Sequence, residues 1–185
     1  MQSDEKDQKE IILIALEQEA PTMAKWDNVF FTGVGKVNAT MLATNLLDLF
    51  PHVTKVWNFG TAGGITVEAG LHKCTNFIQR DMLCMVKDCQ PGETPFENTP
   101  AMITIGTDGK TCSTGDNFVT DPEAPLLGDL VDMEAYAIAK VCQRMGVEFE
   151  CWKYISDNAN ESGGDDWAAN VANGESYFMK KFNNG

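Results

Sequence analysis

Arginine is nearly missing from this sequence: Arg80 and Arg144 are the only two, within 14 basic residues set against 27 acidic ones. The formal charge of −13 repels a polyanion, which excludes a nucleic-acid scaffold. Histidine is equally scarce, with His52 and His72 at no ligand-like spacing. Cys74, Cys84, Cys89, Cys112, Cys142 and Cys151 contain no C-x-x-C pair, so zinc-ribbon and thioredoxin-like frameworks fail. Scattered free thiols fit a reducing cytosol, mostly as buried structural groups. No apolar run reaches the roughly 18 residues of a membrane helix. The opening MQSDEKDQKE has no hydrophobic signal core. A cytoplasmic protein is expected, with no membrane, nucleic-acid, metal or cofactor requirement.

What is present suits one globular domain. The chain has 185 residues, 43% of them apolar and 22% charged, enough for a core. Residues 1–10 read as a charged flexible leader and 11–185 as the domain. Ile11–Leu16, Val29–Thr32, Val53–Phe59, Cys74–Ile78, Met102–Thr107 and Glu148–Ile155 read as strands. Asn38 reads as the N-cap of a helix whose apolar positions run from Ala39 to Phe50, with Pro51 closing it. A second helix carries Val131, Ala135, Ile138, Cys142 and Met145 and stops at Gly146. Trp167, Val171, Phe178 and Phe182 mark a C-terminal amphipathic helix, and Lys87–Pro100 reads as a loop. Alternating strands and helices predict an α/β domain: a central mixed, mainly parallel β-sheet flanked by helices. Sites in such sheets gather beyond the carboxyl ends of strands.

Several turns fall at those ends. Gly33-Val34-Gly35-Lys36 is not a Walker loop, since Phe30 and Val37 stand where Gly and Ser or Thr are needed. It is either a plain turn or one that lines a pocket. Gly60-Thr61-Ala62-Gly63-Gly64 is either an inexpensive turn or a close backbone approach to a ligand. Phe118, after Ser113-Thr114-Gly115-Asp116, is either a core ring or a stacking platform. Glu19 follows the first strand with Glu17, Glu134 opens a helix beside Met133, and Asp157 ends a strand. Each acid alone is more often a cap than a catalyst. Together, at the ends of three elements, they suit an acid and a base converging on one cleft.

These segments in order (Ala15-Leu16-Glu17-Gln18-Glu19, Gly33 to Ala39, Asn58 to Gly64, Ser113 to Asp116, Asp132-Met133-Glu134-Ala135 and Ile155-Ser156-Asp157) resemble the methylthioadenosine/S-adenosylhomocysteine nucleosidases of the purine nucleoside phosphorylase superfamily. The resemblance spans roughly residues 11–182, with segments near Lys25–Val29 and Asn98–Met102 trimmed. It implies an N-glycosyl hydrolase acting on an adenosine-type purine nucleoside, with no cofactor, as a homodimer. By the same resemblance Glu19 activates water and Asp157, with Ser156 beside it, protonates N7 of the departing purine. Met133 and Glu134 hold the ribose, Phe118 and Val119 the base, and Thr61, Ala62 and Gly63 form the turn beneath them. Lys153 stands where the family commonly has Arg.

The segment Gln79–Phe96 departs from the family near the sugar 5′ group. It offers Met82, Leu83, Met85, Pro95 and Phe96 to a thioether, and Arg80, Lys87 and Glu93 to a polar tail. Arg80 and Lys87 are either solvated or turned into the pocket. Phe77, Met82, Leu83 and Met85 are expected to supply an apolar subunit contact. The rivals are a phosphorolytic relative, which the shortage of arginines disfavours, and a non-catalytic nucleoside-binding module.

Overall fold

The computed structural model describes residues 9–83, 89–119, 121, 124, 128–160 and 163–183. Strand β1 (Glu10–Ile14) starts one residue earlier than the apolar run suggests. Its side chains divide between two cores. Ile11 and Leu13 pack with Ala39, Ala43, Leu46 and Ile138, whereas Ile12 and Ile14 pack with Met23, Trp57, Phe59 and Phe178. Burial on both faces is why this strand is continuously apolar and does not alternate.

In chain order there follow β2 (Val29–Phe31), α1 (Lys36–Leu49), β3 (Lys55–Gly64), β4 (Leu71–Gln79), β5 (Met102–Thr104), β6 (Lys110–Thr114) and β7 (Leu130–Asp132). Then come α2 (Ala135–Met145), β8 (Glu148–Asp157), α3 (Gly163–Asn170) and α4 (Glu175–Asn183). The strands form one eight-stranded sheet, β2-β1-β3-β7-β6-β4-β5, with β8 paired to both β3 and β4. The sheet is mixed: β1–β2, β1–β3, β3–β8, β4–β6 and β6–β7 are parallel, and β3–β7, β4–β5 and β4–β8 antiparallel. The pairings β3–β8–β4–β6–β7–β3 close a ring, which brings the ends of β3, β6, β7 and β8 together. Helices α1 and α2 cover one face, while α4 covers the other, with Phe178 stacked on Phe59 at 4.7 Å.

Several expectations are corrected. Helix α1 begins at Lys36 with Gly35 as N-cap, at φ 94, where glycine is at ease. Asn38 lies inside the first turn and donates to the Val34 carbonyl at 2.6 Å. Val131 belongs to β7, and β6 went unread because its KTCST carries no apolar run. The C-terminal helix is two helices, because a Cβ on Gly174 would lie 2.5 Å from that of Tyr154. The chain turns there against β8. Phe77 is a fully buried core ring and no subunit contact. Cys74, Cys112, Cys142 and Cys151 are free and buried, but Cys89 is disulfide-bonded. The expectation that all six thiols are free is corrected in that one respect; pairing follows the approach of two Cβ atoms, which linear spacing does not give. Residues 1–8 of the proposed leader, with Cys84, Met85 and Lys87, lie outside the described residues. No described helix is long and apolar enough to cross a membrane.

Candidate active site

A cavity of about 150 Å³ opens where the segments after β1, β6, β7 and β8 meet the end of β3. Glu19, Thr61, Ala62, Gly63, Phe118, Val119, Met133, Glu134, Ser156 and Asp157 all line it. These ten residues thus lie together on one cavity, and Arg80, Asn117, Asp132 and Trp167 line it as well.

Glu19 ends a one-turn 3-10 helix, Glu17–Glu19, and is buried while Glu17 is exposed. Its Oε1 accepts the Thr61 N–H and the Thr61 hydroxyl, each at 2.7 Å. Its Oε2 accepts the Leu16 N–H at 2.9 Å. Gly60 permits this approach: a Cβ there would lie 3.3 Å from both Glu19 Oε1 and Lys153 Nζ.

Glu134 is the N-cap residue of α2, yet its side chain caps nothing. The capping work is done elsewhere. Asp132 Oδ2 accepts the Ala135 N–H at 2.8 Å, and Thr114 Oγ1 accepts the Tyr136 N–H at 2.9 Å. Released from that duty, Glu134 reaches the Gly33–Lys36 turn, where its Oε1 accepts the Gly35 N–H at 2.8 Å. That turn is therefore tied to the site. Burial, reinforced by the charge of Asp132, pushes the Glu134 carboxyl up to about 7 against the pull of Lys153 and the Gly35 N–H.

Asp157 ends β8. Its Oδ2 accepts the Ser156 hydroxyl at 2.9 Å and its Oδ1 the Ala159 N–H at 2.9 Å. Gly63 sits so close that an added Cβ would lie 2.9 Å from Asp157 Oδ1. Below the cavity, Lys153 Nζ lies 2.8 Å from Asp132 Oδ2. Burial disfavours the lysine charge, but Asp132 and Glu134 outweigh it and hold the ammonium well above the ordinary range. Burial likewise opposes the Asp132 charge, and Lys153 wins, keeping that carboxyl below its usual range.

Phe118 is 57% exposed, so it is a cavity wall rather than a core ring, while Val119 beside it is buried. Arg80 is not solvated: it is 7% exposed, and its Nη2 donates to the carbonyls of Gly115 and Asn117. Burial lowers its pKa from the usual arginine value, while Asp132, Asp81 and Asp116 work to keep it charged. Leu83 and Phe96 are exposed, at 62% and 96%. Among the described residues no cluster suits a metal ion.

The phosphorylase-superfamily model matches residues 28–177. The chain belongs to this superfamily. A relative named 5′-methylthioadenosine/S-adenosylhomocysteine nucleosidase, from Bacillus licheniformis, is 32% identical over 157 residues, covering 70% of this chain and 67% of that protein. A Helicobacter pylori protein named aminodeoxyfutalosine nucleosidase is 26% identical over 179 residues, covering 82% and 77%. The native structure of a futalosine hydrolase from Helicobacter pylori shares the fold, with TM-score 0.84 at 22% identity over 94% of this chain and 96% of that one. In this superfamily member, sequence reading gave no role to Asp132 and Thr114, although both lie in the quoted segments, nor to Trp167. Only the apolar spacing of Trp167 pointed to its helix.

Proposed function

We propose that this chain hydrolyses the N-glycosidic bond of an adenosine-type purine nucleoside, of the methylthioadenosine or S-adenosylhomocysteine kind, releasing the free base and a ribose derivative. One observation carries the reading: Glu19, Glu134 and Asp157, from three separate elements, face one cavity with Phe118 and Met133 on its wall. Superfamily membership and the names of the relatives support it.

The chemistry follows from the charges that develop. As the C1′–N9 bond breaks, positive charge grows on the ribosyl carbon and the bonding pair moves into the purine. Asp157 gives its proton to N7, which lets the base leave neutral; general acid catalysis of this kind is worth roughly 10²–10⁴-fold. Water forms the new bond to C1′, and Glu19 takes its proton. Oε2 is the oxygen suited to that task, since Oε1 already receives two donors and Oε2 one. Glu134 accepts hydrogen bonds from the ribose hydroxyls, and carboxylates close to the sugar stabilise an oxocarbenium-like transition state. Phe118 stacks on the base, with Val119 and Thr61–Gly63 completing its seat; these last residues are the end of strand β3 and not the turn expected from sequence.

Phosphorolysis is the weaker reading. Among the described residues lining the cavity, Arg80 is the sole lysine or arginine, and its Nη2 is committed to two carbonyls. A phosphate clamp needs several free cationic donors. A homodimer belongs to the same proposal, supported by the exposed Leu83 and Phe96; sedimentation at micromolar concentration yielding only a monomer of 20.3 kDa would contradict it.

The test is Asp157→Asn beside Glu19→Gln. Each amide keeps shape but loses proton transfer, so kcat is expected to fall at least a hundredfold in a folded protein. Wild-type kcat in folded Asp157→Asn removes Asp157 from the acid role.

A further inference from the structure

We propose that Trp167 is a positioning residue for Glu19, acting through the Thr61 hydroxyl; the inference rests on the hydrolytic reading above. Helix α3 leaves the end of β8 and lies along the cavity. Trp167, half-buried on that helix, donates from Nε1 to Thr61 Oγ1 at 2.9 Å. Thr61 Oγ1 in turn lies 2.7 Å from Glu19 Oε1. The three groups form one chain of hydrogen bonds ending on the carboxylate assigned to the water.

The direction of that chain is fixed by chemistry. An indole N–H only donates, so Thr61 Oγ1 accepts from Trp167. The hydroxyl has a single proton, and Glu19 Oε1 is its acceptor. A hydroxyl that accepts a hydrogen bond becomes a stronger donor, which tightens the second link. With the Thr61 N–H also on Oε1, the carboxylate plane is set and Oε2 is the oxygen turned to water. Without the indole N–H the Thr61 hydroxyl is free to rotate, and Glu19 loses part of its fixed orientation. Gly163, four residues before Trp167 and so on the same face of α3, would bring an added Cβ within 3.2 Å of Asp157 Oδ1. One helix face thus lies beside Asp157 and reaches Glu19 through Thr61.

The bland alternative is that Trp167 merely packs, as its apolar spacing suggests. The two are separated by a substitution that keeps the ring and removes the donor. Trp167→Phe is expected to lower kcat about five- to tenfold, the weight of one hydrogen bond, with KM unchanged within about twofold. In a Thr61→Val background the same change has no further effect on kcat, and in Thr61→Ser it keeps its full effect. A readout independent of turnover is the Trp167 Nε1–H resonance of ¹⁵N-labelled protein, assigned by elimination using Trp26→Phe, Trp57→Phe and Trp152→Phe. It is expected to move upfield in Thr61→Val and to stay in Thr61→Ser. Unchanged kcat in Trp167→Phe, a loss confined to KM, equal effects in both Thr61 backgrounds, or a resonance indifferent to Thr61→Val overturns the proposal. Should the wild-type protein cleave no nucleoside, the hydrolytic reading falls, while the resonance still decides whether Trp167 is linked to Thr61.

Discussion

Lys153 and Asp132 form an ion pair of 2.8 Å whose side chains are 1% and 0% exposed. The pair joins β8 to the end of β7, and Thr114 Oγ1 adds a 2.5 Å bond to Asp132 Oδ1 from β6. It underlies the cavity without a place in the bond-breaking chemistry.

Removing one partner strands the other charge in the core, at a cost of about 3–5 kcal/mol. Lys153→Met is therefore expected to lower the thermal midpoint sharply. Lys153→Met with Asp132→Asn is expected to regain much of the loss, since no unpaired charge remains. Chemical denaturation of the two variants checks this. A single Lys153→Met variant as stable as wild type contradicts it.

Glu134 yields a pH prediction. Its carboxyl is raised from 4.5 to about 7. A group raised on folding supports the fold fully below its unfolded pKa, and that support is lost as pH climbs through the folded one. The window here runs from about 4.5 to about 7, and the loss is on the order of 3 kcal/mol. Glu134→Gln keeps an acceptor for the Gly35 N–H and carries no charge. It is expected to be more stable than wild type at pH 8 and equal to it near pH 4.5. Thermal melts across that range decide the matter, and a gain that does not vary with pH speaks against a buried, ionising Glu134. The same variant is expected to lose nucleoside affinity, so stability and function move in opposite directions.

The sequence exposed the three cavity acids better than the residues that hold them. Glu19, Glu134 and Asp157 stood out because each lies at the boundary of an element and in a motif resembling the family's. Asp132 and Thr114 lie in the same quoted segments, but their partners do not show in sequence: Thr114 bonds Asp132 and the Tyr136 N–H, and Asp132 pairs with Lys153 across the ring of strands. Helix and strand positions followed apolar periodicity where the run was long, as in β1, β8 and α2. They failed at β6, whose KTCST has no apolar run, and at β7, read as part of the following helix, where pairing and not pattern makes the strand. Arg80 was undecidable in sequence, since only the fold places it under the Gly115–Asn117 backbone.

That placement gives a third prediction. Arg80 Nη2 holds the carbonyls of Gly115 and Asn117, immediately before Phe118. Arg80→Ala is expected to loosen the proposed base platform and raise KM about tenfold for every nucleoside tested, the weight of about one charge-assisted bond. The ranking of methylthioadenosine, S-adenosylhomocysteine, adenosine and AMP is expected to stay the same. A selective loss confined to the substrate with an anionic 5′ group instead makes Arg80 a direct contact to that group.

The most direct test of the account is the identity of the sugar product when the purified protein is incubated with methylthioadenosine, with and without inorganic phosphate. Hydrolysis predicts adenine and free methylthioribose in equal amounts, at a rate that phosphate does not increase. A sugar 1-phosphate that appears only with phosphate, or no adenine under either condition, contradicts it.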